Sequence, residues 1–112
     1  MSESVLDWVV FNEISGLMED ALGEFIGTYL ENSPKLLLKL QTALTEKDLE
    51  GVFHHAHQLK GGSGSIGAVQ VFQLTKQIEE RARAGSAQGL EELFSELQLA
   101  YEKAACELKT HQ

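Results

Sequence analysis

The sequence predicts an all-α fold: an antiparallel bundle of four long helices with a short additional helix at the amino-terminal end. Apolar residues recur at steps of three and four along nearly the whole chain, which is the spacing of one helix face. The chain has a single proline and long stretches without turn residues. Its 112 residues, 43% of them hydrophobic, suffice for one core, so we expect a single domain over 1–112.

The first two predicted helices occupy the amino-terminal part of the chain. The short helix is expected to end near Ser15-Gly16, and its apolar face comprises Leu6, Val9, Val10 and Ile14. A second apolar stripe begins at Leu17 and continues to Leu44. Within this stripe, Ser33-Pro34 fits a serine N-cap followed by proline at the first helical position. It fits a kink inside one longer helix equally well.

Three further helices are predicted after Thr45. Thr45 and Asp48 have the spacing of a capping box, with Asp in place of the usual Glu. The helix that follows has a regular apolar stripe made of Leu49, Val52, Ala56, Leu59 and Ser63. After the glycine-rich stretch 61–67, helical periodicity resumes over 68–82 and stops near Gly85, which suits a helix carboxyl terminus. The last helix is expected over 90–108.

Composition narrows the functional classes. The formal net charge of −8 disfavours nucleic-acid and anionic-membrane partners, because an acidic surface repels phosphate groups. No run approaches the ~18 apolar residues that span a bilayer, and the first residues lack the features of a secretory signal. We therefore expect a cytoplasmic protein. The single cysteine, Cys106, excludes an intrachain disulfide and is expected to be a small buried residue. The larger aromatic residues are expected to lie in the core or to staple helices: Trp8, Phe25, Phe72, Phe94 and Tyr101.

The segment from Phe53 to Gly64 contains three of the four histidines in the chain. If Ala56 and Leu59 face the core, His57 lies on the flank of the helix, about 100° from Ala56. Lys60 and Gly61 follow His57 at i+3 and i+4, and Gly64 continues this stripe at i+7. The pattern places the imidazole of His57 beside the ammonium group of Lys60. The rest of this helix face consists of glycines, which have no side chains.

Glycine inside a helix costs about 1 kcal/mol relative to alanine, so a glycine-rich stripe requires a compensating purpose. The missing side chains would let another protein approach the imidazole closely. Neutral imidazole is a competent nucleophile, and an adjacent lysine can neutralise phosphoryl charge. Since phosphoryl transfer depends on positioning and charge compensation, the stripe favours a phosphoryl acceptor at His57. A partner protein would then supply the aspartate and the metal.

The segment AHQLKGGSGSIGA, residues 56–68, resembles the signature of the histidine-containing phosphotransfer (HPt) family, approximately A-H-x-L-K-G-small-small-x-x-hydrophobic-G-A. The resemblance extends over nearly the whole chain. It implies that Nε2 of His57 exchanges a phosphoryl group with aspartates of response-regulator receiver domains, including that of a hybrid sensor histidine kinase. It also implies that Lys60 stabilises the phosphoryl charge and that Gly61, with Gly64, allows the receiver to approach. Glu79 lies where relatives have a Gln or Glu that hydrogen-bonds the other ring nitrogen, Nδ1, of the phosphoacceptor histidine. Alternatively, Glu79 belongs to a solvated acidic face.

The resemblance further implies a monomeric phosphocarrier of a two-component phosphorelay with no turnover of its own. No ATP-binding motif is visible, no cofactor is expected in this chain, and Mg²⁺ would belong to the acidic pocket of the receiver. Two alternatives remain open. The chain could be the phosphoacceptor domain of a chemotaxis-type histidine kinase, or a non-phosphorylated scaffold that binds a receiver through its glycine face.

Other functional interpretations of the same residues are weaker. Gly62-x-Gly64-x-x-Gly67 matches a dinucleotide-binding fingerprint, but the preceding segment has helical spacing instead of the required buried strand. The P-loop pattern lacks its Gly-Lys-Ser/Thr end. One helix face carries Glu50, His54 and His57, without ligands from a second element, so no metal site is predicted. We expect His54 and His55 at the surface and assign no role to His111.

Overall fold

Five α-helices make up the part of the chain that this computed structural model describes, residues 5–112. They are α1 (Trp8–Met18), α2 (Leu22–Thr45), α3 (Leu49–Ile66), α4 (Val69–Arg83) and α5 (Leu90–Lys109), with a 3-10 turn at Glu19–Ala21. Helix α3 packs against α2 and α4, α5 packs against α4 and α2, and α1 lies against α2 and α3. The predicted four-helix bundle with a short amino-terminal helix is confirmed.

The core forms where the apolar stripes of the four long helices meet. On α3, Val52, Ala56 and Leu59 are essentially inaccessible to solvent. On α5, the buried stripe comprises Leu90, Leu93, Phe94, Leu97, Ala100, Tyr101, Ala104, Ala105 and Leu108. Burial of such stripes stabilises the bundle by removing apolar surface from water. It also fixes the rotation of each helix, and therefore decides which residues of α3 face outward.

Pro34 lies inside α2, so the longer-helix alternative is the one observed. Proline removes one backbone N–H and crowds the preceding turn. Pro34 is exposed, so the carbonyl group that loses its partner lies on the side of α2 that water can reach. Ser33, its neighbour, is buried and faces the core instead of capping a new helix.

Two helix boundaries differ from the sequence prediction. Helix α1 continues through Gly16 to Met18 and ends at Glu19, which has a positive φ of 46°. The capping box was wrong: Thr45 is the last residue of α2, and Asp48 itself caps α3 by accepting a hydrogen bond from the Gly51 amide at 3.0 Å. An aspartate is a good N-cap residue, so α3 begins without a contribution from Thr45.

One predicted side-chain position was wrong, and aromatic contacts place two further side chains at α1. Cys106 is exposed, because it falls outside the buried stripe of α5. Trp8 is 38% exposed and packs edge-on against Phe11, with ring centroids 5.6 Å apart. His111 also contacts this pair, at 5.4 Å from the Trp8 ring and 5.0 Å from the Phe11 ring, so it links the end of the chain to α1.

None of the helices within residues 5–112 combines the length and the apolar character that crossing a membrane requires.

Candidate functional site

His57 projects from the outer flank of α3. Its side chain is 60% exposed, whereas the neighbouring Ala56 is fully buried. A Cβ atom added at Gly61, one turn further along α3, would meet no atom within 4 Å. The imidazole therefore stands beside an open stretch of helix surface, as the sequence pattern predicts.

Glu79 of α4 lies directly beneath this imidazole. The side chain of Glu79 is only 2% exposed, and its Oε2 atom accepts a hydrogen bond from Nδ1 of His57. Its other oxygen, Oε1, accepts a hydrogen bond from Nζ of Lys60 at 2.6 Å. Glu80, the next residue, is exposed, so the two glutamates do not share a solvated face. The buried carboxylate of Glu79 thus holds both His57 and Lys60, so the fold brings these three predicted site residues together.

The carboxylate of Glu79 remains ionised despite its burial. Burial raises its pKa, but the hydrogen bonds from Lys60 and His57 outweigh this effect and hold the pKa below its usual value. An ionised carboxylate can only accept hydrogen bonds, so Nδ1 of His57 must carry the proton. In the neutral ring this tautomer leaves the lone pair on Nε2, the nitrogen that is not engaged by Glu79.

Lys60 is more enclosed than a typical surface lysine, with 22% of its side chain exposed. Its ammonium group lies against Glu79, so in the resting protein the two charges offset each other. The sequence predicts the proximity of Lys60 to His57 but not this pairing, which depends on the register between α3 and α4. Its role toward a phosphoryl group stays a prediction.

The glycines of α3 have different environments. A Cβ atom at Gly62 would make ordinary contact with the Tyr29 ring at 3.6 Å. At Gly64, a Cβ atom would lie 3.0 Å from Cδ1 of Phe72 on α4. The missing side chain at Gly64 therefore makes room for an internal contact. This revises the prediction that Gly64, like Gly61, is bared for a receiver; Gly61 alone of the two borders open space.

A buried hydrogen bond holds the glycine-rich part of α3 against α2. The side chains of Tyr29 and Ser63 are 2.7 Å apart at their oxygens, and Ser63 is fully buried. Burial raises the pKa of Tyr29 to about 12, so the phenol stays protonated and able to bond. Gly67 then ends the helix with a φ of 81°, a conformation that glycine adopts without strain.

Two residues near this site were not identified from the sequence: Phe53, which lies beside the imidazole of His57, and Arg83, which lies over the Phe53 ring. The Phe53 ring lies nearly parallel to the imidazole, at 14°, with centroids 6.0 Å apart. The guanidinium carbon of Arg83 lies 5.3 Å from the centroid of the same phenyl ring. Their spacing could have indicated them: Phe53 precedes His57 by four residues, and Arg83 follows Glu79 by four on the helix that packs against α3.

An apolar groove of about 290 Å³ runs between α2 and α3 next to the open face. Its α3 wall includes Gln58 and Gly62, the residues that follow His57 and Gly61 in sequence. Its α2 wall is mostly apolar or small and comprises Phe25, Thr28, Tyr29, Asn32, Ser33 and Leu36.

The residues considered for a metal site do not converge. His54 lies 3.9 Å from Glu50 on the exposed surface, and His57 turns instead to Glu79. Within residues 5–112, no group of three or more His, Cys, Asp or Glu side chains is arranged to hold a metal ion. His54 is exposed and His55 half-buried, as expected for surface histidines.

Known proteins share this sequence pattern. The Hpt domain family model matches residues 24–105. Histidine-containing phosphotransfer protein 4 of Arabidopsis thaliana is 32% identical over 93 residues, which is 78% of this chain and 73% of that protein. Multistep phosphorelay regulator 1 of Schizosaccharomyces pombe is 28% identical over 98 residues, 84% of this chain, and the chain spans 33% of that longer protein.

Solved structures share the fold. Histidine-containing phosphotransfer protein B of Pseudomonas aeruginosa PAO1 superposes with a TM-score of 0.93 at 30% identity, covering 98% of this chain and 96% of that one. Ypd1 of Saccharomyces cerevisiae has a TM-score of 0.86 at 16% identity, covering 98% and 95% of the two chains, and was crystallised with the receiver domain of its downstream response regulator Ssk1. The family match, the Arabidopsis relative and the shared bundle together establish that this chain belongs to the histidine-containing phosphotransfer (Hpt) domain family.

Proposed function

We propose that this protein is a histidine phosphotransfer protein of a two-component phosphorelay, in which His57 carries a phosphoryl group between aspartates of receiver domains. The observation that carries the proposal is the hydrogen bond from Nδ1 of His57 to the buried Glu79. It directs the reactive nitrogen, Nε2, toward solvent beside the open surface at Gly61. A partner's aspartyl phosphate can therefore approach Nε2 without displacing any side chain at Gly61.

The transfer step follows from this geometry. The lone pair on Nε2 attacks phosphorus, an N–P bond forms, and the P–O bond to the aspartate breaks with that carboxylate leaving. The imidazole ring gains positive charge, which the carboxylate of Glu79 offsets through Nδ1–H. The reverse step returns the electron pair to Nε2, so the same arrangement supports transfer in both directions. In this role the chain is a phosphocarrier and not an enzyme with its own turnover.

We propose that receiver domains dock on the open face of α3 and the groove between α2 and α3. The Ypd1 structure contains such a partner, a receiver domain. In this chain the groove adds apolar contact area beside His57, and the phosphoryl site adds polar contact. In the proposed complex the receiver contributes both the aspartate and its magnesium ion. The carrier itself would act as a cytoplasmic monomer.

The test is direct phosphorylation. The protein is incubated with phosphoramidate, or with a receiver domain labelled with ³²P, and phosphopeptides are mapped under alkaline conditions that preserve phosphohistidine. The proposal predicts acid-labile phosphate on His57 and its onward transfer to an unlabelled receiver domain. Unlabelled protein that still binds a receiver would instead support the scaffold alternative.

A further inference from the structure

We propose that Ser63 is a positioning residue for receiver docking: its buried hydrogen bond to Tyr29 keeps the glycine-rich end of α3 helical and seated against α2, so that the docking face is formed before a receiver arrives. The inference deepens the proposed function and rests on it, since it requires that a receiver meets this face. It assigns a role to a core residue outside the trio of His57, Lys60 and Glu79.

The end of α3 is intrinsically weak as a helix. Gly61, Gly62 and Gly64 lie in its last two turns. Glycine is the poorest helix former apart from proline, because it loses the most backbone freedom when the helix forms. The helix nevertheless continues to Ile66. Contacts with neighbouring helices must therefore stabilise a segment that its own residues do not favour.

Ser63 makes the polar part of that contact. It is fully buried although it lies between Gly62 and Gly64, and its hydroxyl oxygen is 2.7 Å from that of Tyr29 on α2. Breaking a hydrogen bond between two buried hydroxyl groups leaves both without a partner until water enters the core. Any fraying motion that carries Ser63 away from α2 must break this bond. The bond therefore resists fraying of the glycine-rich segment.

Tyr29 is a well-fixed partner for this bond. It is 8% exposed, and its ring packs against that of Tyr101 on α5, with centroids 6.0 Å apart. The Tyr29 ring also lies against the bare backbone at Gly62, where an added Cβ atom would be 3.6 Å from Cδ1. The same ring forms part of the α2 wall of the groove. The bond thus connects the glycine-rich face to the groove, the two surfaces on which we propose that a receiver docks.

This arrangement separates receiver docking from the chemistry of the imidazole. His57 lies six residues before Ser63 and is held by Glu79 of α4, a contact that does not involve α2. Loss of the bond between Ser63 and Tyr29 should therefore loosen the docking face and leave the imidazole oriented. A small phosphoryl donor needs only the imidazole, whereas a receiver domain needs the docking face as well.

The first experiment compares a small donor with a protein donor. Wild type, Ser63→Ala and Tyr29→Phe are treated with phosphoramidate, in which Nε2 of His57 attacks phosphorus and ammonia leaves as the P–N bond of the donor breaks. They are also treated with a ³²P-labelled receiver domain that phosphorylates wild type. Ser63→Ala should take phosphate from phosphoramidate at the wild-type rate. Both variants should require about threefold to tenfold more receiver for the half-maximal rate, with the maximal rate unchanged.

A double variant and a matched control isolate the bond. If the two hydroxyl groups act through each other, the combination of Ser63→Ala with Tyr29→Phe should need no more receiver than the weaker single variant. The control is Thr75→Val, which also removes a buried hydroxyl group. The hydrogen bonds of Thr75, to the carbonyl groups of Val71 and Phe72, lie within α4. Thr75→Val should lower stability and leave the required receiver concentration unchanged.

Amide hydrogen exchange measures the loosening without any phosphotransfer. In Ser63→Ala, the amides of residues 63–66 should exchange about threefold to tenfold faster than in wild type, while those of residues 53–57 keep their protection. The inference is overturned by unchanged exchange at 63–66, by an unchanged receiver requirement, by additive effects in the double variant, or by equal slowing with phosphoramidate. Wild-type protein that takes no phosphate from either donor would overturn the proposed function itself. Normal labelling of wild type with unaltered variants would overturn this inference alone, so the two failures are distinguishable.

Discussion

The carboxylate of Glu79 accepts a hydrogen bond from Nδ1 of His57, joining a side chain that is 2% exposed to one that is 60% exposed. The buried partner is fixed by the packing of α3 against α4, whereas the exposed partner must meet another protein. Orientation is therefore supplied from inside the bundle through Nδ1, and Nε2 is the ring nitrogen that Glu79 does not engage. Because Glu79 holds the imidazole from below, the surface beside it at Gly61 can lack side chains while the ring is still kept from rotating.

Two substitutions of Glu79 distinguish its contribution to the orientation of His57 from its contribution to the stability of the bundle. Glu79→Gln keeps an oxygen that can accept from Nδ1, so labelling of His57 should fall only a few-fold. Glu79→Ala removes the acceptor and leaves Lys60 without its partner, which should lower the free energy of unfolding by about 1–3 kcal/mol and slow labelling further. Urea melts and initial labelling rates measure the two effects. Equal labelling rates in Glu79→Ala and wild type would show that orientation by Glu79 is unimportant.

Acidification should weaken the contribution of Glu79 to stability. Its pKa is lower in the folded protein than its ordinary value of 4.5, so the ionised form is favoured by folding. The resulting stabilisation is complete above about pH 4.5 and is lost as the pH falls through the lower folded value. Urea melts of wild type and Glu79→Gln from pH 7 to pH 3 should therefore converge at the acidic end. A difference in stability that grows on acidification would contradict the assignment.

Lys60→Ala should slow phosphotransfer while His57 remains the acceptor. In the resting protein Lys60 offsets the charge of Glu79, and we expect its ammonium group to lie near the phosphoryl oxygens during transfer as well. Its loss should cost about 1–3 kcal/mol in activation free energy. Rates at saturating receiver concentration measure this effect, with Lys103→Gln, an equal charge change at an exposed position on α5, as the control. Rates equal to those of wild type would reduce Lys60 to a structural partner of Glu79.

The same substitution at two glycines should give opposite results. Gly61→Gln places its side chain in open space and replaces a poor helix former, so stability should be kept or rise by up to about 1 kcal/mol. That side chain should nevertheless block a receiver and reduce transfer steeply. Gly64→Gln must displace Phe72 and should destabilise the bundle by about 1–3 kcal/mol. Thermal melts and transfer kinetics on both variants decide the matter. Normal transfer by a stable Gly61→Gln would mean that the glycine does not clear a docking surface.

The parts of this structure that depend on local periodicity could be predicted from the sequence. The helical spacing of Val52, Ala56 and Leu59 determines which side of α3 is buried, and therefore places His57 on the outer side. Pro34 could not be assigned, because a helix start and an exposed site within a helix produce the same local pattern. Cys106 was misplaced because an apolar residue type does not by itself show on which side of α5 it falls.

Contacts between helices could not be predicted in the same way. Whether Gly64 faces a partner or Phe72 depends on the register of α3 against α4, and so does the placement of Arg83 on Phe53. Glu79 could be selected only through family resemblance, since its spacing alone equally allows a solvated position. The register between two helices is determined by many small packing contacts along both of them, so it cannot be read from a single sequence motif.

The phosphorylation of single-histidine variants tests the assignment of the acceptor most directly. His57→Gln, His54→Gln and His55→Gln are each treated with phosphoramidate and with a ³²P-labelled receiver domain, and circular dichroism confirms that each is folded. Because His57 lies outside the buried stripe, His57→Gln should retain the helical spectrum and lose all acid-labile label. The other two variants should label as wild type does. Label that persists in His57→Gln and disappears in His54→Gln or His55→Gln would contradict the account.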